Sequence, residues 1–221
     1  LECADEALAQ HAVAAAESEV RRLEQKYSRY LADSLTAQIN VAAGSGNAVA
    51  IDQETAALLG FATTLWEQSE GMFDLTSGIL RRAWDFKSGR LPEQSHIDAL
   101  LPLIGWDMVE WDPHAIRLPR PGMEIDFGGC VKEYACDSVA NLLAGLGVER
   151  GLVDLAGDMA AVGEGALASP WSVGIRHPVQ SGEARREQAI AAVQLARGGL
   201  ASSGDYERCM LIDGKRYGHI L

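Results

Sequence analysis

Apolar residues recur at three- and four-residue steps from about Asp5 to Tyr30, at Val13, Ala16, Val20, Leu23 and Tyr27. That period predicts one long amphipathic helix, with Glu17, Arg21, Arg22 and Glu24 on its solvated face. A Gly/Ser/Asn loop comes next at Ala43 to Asn47. A second helix is predicted from Asp52 to Gln68, with Asp52 as N-cap, Glu54 in its first turn and Leu58, Leu59, Ala62, Leu65 and Trp66 inward. Gly71 closes the segment after it. From Trp84 to Pro121 the pattern breaks up. It allows a short helix near Ser95 to Leu100 and a hairpin around Trp106 to Leu118.

Beyond Pro121 the period shortens. Ile125-Asp126-Phe127 reads as a short strand, and a helix carrying Tyr134, Val139, Leu142, Leu143 and Leu146 comes after the Gly128-Gly129 pair. Leu152 to Leu155 and Trp171 to Ile175 read as strands. Ala189 to Leu195 and Cys209 to Ile212 read as antiparallel partners, and Asp213-Gly214 as a hairpin turn into Tyr217 to Leu221. Helices and strands mix without a strict βαβ alternation. The expected fold class is therefore α+β, with mixed, largely antiparallel sheets flanked by helices.

The 221 residues are 48% hydrophobic, enough for a core, and carry a net charge of −12. No basic stripe is available to displace counterions, which argues against nucleic acid as a partner. The same charge means that a phosphate-bearing ligand needs a cation or backbone N–H groups to offset repulsion. Cys3, Cys130, Cys136 and Cys209 form no C-x-x-C pair, so a zinc site is not expected. No run of about 18 apolar residues marks a membrane span.

Four glycine-punctuated segments put an acidic residue beside a tight turn: GMFDLTSG (71–78), IDFGGCVKEYACDSV (125–139), LVDLAGDMAAVG (152–163) and SSGDYERCMLIDGKRYGHIL (202–221). In the second, glycines before a helix start offer N–H groups to an anion, with Lys132 adding a cation. Taken singly, each segment also reads as an ordinary turn. Asp74, Asp158 and Asp205 then hydrogen-bond their own backbone, Arg208 lies on the surface, and His219 packs in a strand. No G-x-S-x-G, H-E-x-x-H or Cys-His nucleophile pair supports a serine hydrolase or zinc peptidase.

Taken in order, with YSRYLADSLTAQIN (27–40) ahead of them, these segments resemble the ApbE family of FAD:protein FMN transferases. The first is similar to the family's S-x-Y-x-x-D-S-x-[IL]-x-x-[FLI]-N, the second to G-[AY]-F-D-[PI]-T-x-G-P-L, and the last to T-S-G-x-Y-x-R…DGKRxSHI[IL]. The resemblance spans about residues 5 to 221 and implies a single ApbE-like, T-fold-related domain.

It also implies that FAD is the substrate, cleaved with Mg2+, and that FMN passes to a threonine of a membrane redox-complex subunit. The family's flavin-contacting positions fall on Tyr30, Met72, Phe73, Asp74, Lys132, Ser138 and Leu221. A metal-binding carbonyl falls on Ala135, and His219 and Asp74 are the candidate catalytic residues. The family implies a lipoprotein on the periplasmic side of the inner membrane, although forms without export signals exist. Two positions depart from the family: Glu133 stands where it has glycine after the lysine, and Ala156 replaces the first glycine of its G-G-[DN] turn. The chain opens on Leu1 without methionine and stops at Leu221 inside a motif, so it reads as cut at both ends, ahead of the family's metal-binding Asp/Thr segment. A flavin-binding module or a metal-dependent FAD pyrophosphatase is the alternative.

Overall fold

The computed structural model describes residues 1–3, 5–163, 169–177, 189–204 and 209–219. The chain divides into two compact units. One comprises Leu1–Leu23 and Lys132–Cys209, the other Glu24–Val131 and Met210–Leu221. Helices and small antiparallel sheets make up both, so the fold is α+β as expected.

The first unit is built on α1 (Glu6–Tyr27, through Leu23) and α5 (Val131–Gly145). Its core gathers Ala12, Cys136, Val139, Ala140, Leu143, Val148, Val153, Ala160 and Val162. The apolar stripe of α1 follows the sequence expectation at Ala16, Val20, Leu23 and Tyr27 and departs from it only at Val13. Ala12 is fully buried whereas Val13 is half-exposed, because the packed face runs through Ala12, Ala16, Val20 and Leu23.

Strands β4 (Gly151–Leu155) and β5 (Asp158–Val162) form a hairpin, and β8 (Gly199–Leu200) adds to β5. The hairpin turns on Ala156 and Gly157, both left-handed with φ of +56° and +95°. Such a turn matches the right-handed twist of the strands but asks for glycine. Ala156 therefore sits where its Cβ is crowded. Replacing Ala156 by glycine is expected to stabilise the protein by about 0.5 kcal/mol, the left-handed penalty outweighing glycine's extra unfolded-state entropy. Urea unfolding midpoints of the two proteins check this.

Strand β6 (Trp171–Arg176) pairs with β7 (Ala189–Leu195), with Val173 opposite Val193. The expected pairing of β7 with Cys209–Ile212 is therefore corrected. After β7 the chain turns at Gly198 (φ +77°), whose carbonyl accepts from Ala161, and enters β8 against β5. Cys209–Ile212 (β9) instead pairs with β10 (Lys215–Gly218) across the expected Asp213-Gly214 turn, where φ is +51° and +77°.

In the second unit α2 (Leu35–Val41) is capped by Ser34 and α3 (Gln53–Gln68) by Asp52, each accepting from the backbone N–H three residues on. The α3 boundaries and cap are those the sequence predicts. Its buried face is Thr55, Leu58, Leu59 and Ala62, with Leu65 and Trp66 only half-buried. The short helix is α4 (Gln94–Leu100) and the hairpin is β2 (Glu110–Trp111) with β3 (Ala115–Arg117), joined by β1 (Val49–Ala50) on the other edge of β3. Tyr27 and Phe127 meet in the core with ring centroids 5.0 Å apart.

Ile125 to Phe127 is not a strand. The Asn40 amide takes both backbone groups of Ile125, at 2.7 and 3.0 Å, and Asp126 N–H donates to Leu75 O at 2.9 Å. With these groups satisfied by a side chain and a turn, no ladder partner is needed. Phe127–Gly129 then forms a 3-10 turn leading to α5.

Candidate functional site

The second unit carries the expected residues Tyr30, Met72, Phe73, Asp74 and His219. After α3 the chain reverses through Glu70 and Gly71, with φ of +55° and +83°. Ser69 anchors the residues beyond this reversal, its hydroxyl accepting from Phe73 N–H at 2.8 Å. The reversal presents Met72 to solvent at 87% exposure. The Phe73 ring lies against the glycine pair, and a Cβ on Gly129 would stand 3.0 Å from it.

Asp74 caps the 3-10 turn Leu75–Arg82. One oxygen accepts from Thr76 N–H at 2.7 Å and Thr76 O–H at 2.6 Å, and the other accepts from Trp106 N–H at 2.9 Å. Thr76 Oγ1 in turn accepts from Gly105 N–H at 2.8 Å. Both carboxylate oxygens therefore hold the 71–78 segment to the 105–106 turn.

Asp126 is the junction of two of the sequence motifs. Its N–H donates to Leu75, and a Cβ on Gly78 would stand 2.5 Å from the Asp126 Cβ, so only glycine fits at 78. Asp126 Oδ1 accepts from Gly128 N–H at 2.9 Å, and Oδ2 accepts from Arg29. Arg29 is a residue that sequence reasoning passed over, since an arginine after a helix reads as surface. Burial works against its charge, but the Tyr30 hydroxyl and the Asp126 carboxylate outweigh it and hold the guanidinium above its ordinary value. His219 is exposed in the bend after β10.

The first unit carries Lys132, Ala135 and Ser138 on α5. Lys132 Nζ lies 2.6 Å from Asp158 Oδ2. Asp158 is buried and also accepts from Ser202 N–H at 3.1 Å. It is thus more than a turn residue: it ties the start of α5 to β5 and to the segment after β8. Six residues separate Ser138 from Lys132, which turns it to a different side of the helix. There its hydroxyl donates to Glu19 at 2.6 Å. Ala135 is buried in the second turn of α5. Leu221, Asp205 and Arg208 lie outside the described residues.

Cys136 donates its S–H to the Asp158 carbonyl at 3.1 Å. Burial pushes its thiol up to about 11, and the carboxylates of Asp158, Asp137 and Glu133 add to the effect. An unfolded thiol ionises near pH 9, so the stability tied to the neutral thiol is complete below that pH. It is lost as pH rises toward 11. The wild-type protein is expected to lose on the order of 2 kcal/mol more than a Cys136→Ala variant between pH 8.5 and 11. Urea titrations at both pH values check this.

Cys3, Cys130, Cys136 and Cys209 are reduced, with no disulfide among them. Among the described residues no group of three or more His, Cys, Asp or Glu is placed to hold a metal ion. Two hard oxygen donors of the kind Mg2+ takes are nonetheless present on α5: the Ala135 carbonyl and Glu133 Oε2, which is buried without a hydrogen-bond partner. The donors suit a hard cation in kind but not in number.

The model of the ApbE family matches residues 2–221. A Treponema pallidum protein described as an FAD:protein FMN transferase is 30% identical over 206 residues, 86% of this chain. The chain spans 56% of that relative's length, and about three fifths of other curated relatives it matches. The crystal structure of an ApbE protein from Thermotoga maritima superposes with a TM-score of 0.83 at 29% identity, covering 96% of this chain and 68% of that one. The apo flavinyl transferase ApbE of Pseudomonas stutzeri superposes with a TM-score of 0.77 at 28% identity, covering 95% and 65%.

Proposed function

Since the chain belongs to the ApbE family, we propose that its protein is an FAD:protein FMN transferase that attaches FMN to a threonine of a membrane redox-complex subunit. The observation that carries this reading is the match to the family over residues 2–221, with curated relatives described as transferases of this kind. The placement of the motif residues supports it. Tyr30 and Met72 are exposed to solvent, where they could cover a planar ring, and Phe73 and Asp74 come directly after Met72 on a backbone fixed by Ser69 and Trp106. Tyr30, Met72, Phe73 and Asp74 would contact the flavin through these groups and Lys132 the phosphates, with Ser138 and Leu221 as further contacts of the nucleotide.

In the transfer, the threonine oxygen forms a bond to the flavin-side phosphorus of FAD. The bond from that phosphorus to the bridging oxygen breaks, AMP leaves with the electron pair, and the hydroxyl proton passes to a base. We assign the base to His219, an exposed imidazole in the bend after β10, whose ring nitrogen can accept a proton. Asp74 keeps the reacting region in shape, its oxygens being occupied by backbone and hydroxyl donors. Mg2+, when bound with the Ala135 carbonyl as one ligand, would offset the pyrophosphate charge on a protein of net charge −12. Lys132 draws charge toward the phosphates from the first turn of α5 while Asp158 keeps its ammonium in place. The site of action would be the periplasmic face of the inner membrane. Among the described residues no helix is long and apolar enough to cross it.

The test is incubation of the full-length protein with FAD, Mg2+ and a threonine-bearing flavoprotein subunit, with an EDTA control and intact-mass readout. One FMN added to the target, and lost with EDTA, is the expected result. Glu133 favours a second reading, because its buried, unpaired oxygen brings negative charge next to Lys132 and works against phosphate. Release of FMN and AMP without target modification would indicate a FAD pyrophosphatase. FAD bound but unchanged would indicate a flavin-binding module.

A further inference from the structure

Tyr30 is 80% exposed, yet its ring is held. Arg29 Nη2 donates to the Tyr30 hydroxyl at 2.9 Å, and the guanidinium lies 5.0 Å from the ring centroid. The backbone N–H of Tyr30 donates to Ser28 Oγ at 3.2 Å. The other side of the guanidinium donates to Asp126, and both side chains of that pair are three-quarters or more buried. Asp126 is itself fixed, by Leu75 O, by Gly128 N–H and by Gly78, which leaves no room for it to shift. A row of fixed groups thus runs from the 71–78 turn to one exposed aromatic ring.

An exposed tyrosine ordinarily samples several rotamers and loses that freedom when a ligand stacks on it. A ring fixed beforehand loses less. We infer that Arg29 is a positioning residue that locks Tyr30 as a preformed stacking surface for the flavin ring system. This rests on the reading of Tyr30 as a flavin contact. The two interactions described take the Arg29 guanidinium to Tyr30 and to Asp126, so the effect proposed for it on the ligand passes through the Tyr30 ring.

Tyr30→Phe separates the lock from the fold. It keeps the ring and leaves the Arg29–Asp126 pair intact, whereas Arg29→Gln leaves Asp126 without its cation. FAD affinity is read on the full-length protein by quenching of flavin fluorescence, with thermal midpoints alongside. Tyr30→Phe is expected to weaken FAD binding by about 2- to 10-fold at an unchanged midpoint. In the Arg29→Gln background it should add nothing further. Carbon-13 relaxation of the Tyr30 ring in the ligand-free protein should show an ordered ring that becomes mobile in Arg29→Gln. Unchanged affinity in Tyr30→Phe, an equal loss in both backgrounds, or a ring already mobile in the wild-type protein overturns the lock. A wild-type protein with an ordered ring that binds no FAD overturns the flavin reading itself, and the stacking role with it.

Discussion

Replacing Asp74 by alanine is expected to lower stability by about 3–5 kcal/mol, the largest of the stability effects anticipated for this protein. The carboxylate accepts three hydrogen bonds, two from Thr76 and one from Trp106 N–H, and caps the turn Leu75–Arg82. Hydrogen bonds to a charged acceptor contribute about 1.5–3 kcal/mol each, less when they share one group. The loss also releases the Gly105–Thr76 bond that completes the junction. For a chain of this length the thermal midpoint should fall by on the order of 10 °C. Asp74→Asn keeps an acceptor for one of the two sides and should lose roughly half as much. Far-UV circular dichroism melts of the three proteins decide it. A drop below about 1 kcal/mol in Asp74→Ala would mean that the junction is not what holds the segment. Because the segment ends beside Asp126, transfer activity should fall along with stability.

The second large effect is on rate. His219→Ala is expected to reduce FMN transfer by about 10²- to 10⁴-fold, the usual contribution of a general base, while FAD affinity changes by about twofold or less. His219 lies in the exposed bend beyond β10, and thermal midpoints measured alongside separate an effect on rate from one on stability. Weakened FAD affinity with an unchanged rate at saturation would instead make His219 a ligand contact. The base would then have to be sought elsewhere.

Several features of the site are legible in the chain itself. Asp52 as N-cap of α3, the end of the following segment at Gly71, the turn at Asp213-Gly214 and the helix after Gly128-Gly129 come from local rules. In each the governing interactions lie within a few residues of one another. The strand expected at Ile125 to Phe127 failed for a nonlocal reason. Its backbone partners are Asn40 and Leu75, 85 and 51 positions away, and β-propensity carries no trace of a side chain standing in for a strand. The misassigned partner of β7 has the same origin, because pairing depends on where Gly198 sends the chain. Arg29 and Asp158 were unreadable as site residues, since a charge in a turn looks alike in sequence whether water or Asp126, or Lys132, receives it.

The sequence by itself determined the family, the α+β class, most helix boundaries and the motifs that carry the candidate site residues. Periodicity, caps and glycine turns are short-range codes, and ordered motifs survive at about 30% identity. The tertiary structure decided which of those residues are committed to holding the fold and which are presented. Asp74 and Asp126 spend their carboxylates on backbone and arginine donors, whereas Tyr30 and Met72 stand in solvent. That division depends on burial and on partners brought together from distant parts of the chain, and only folding supplies them.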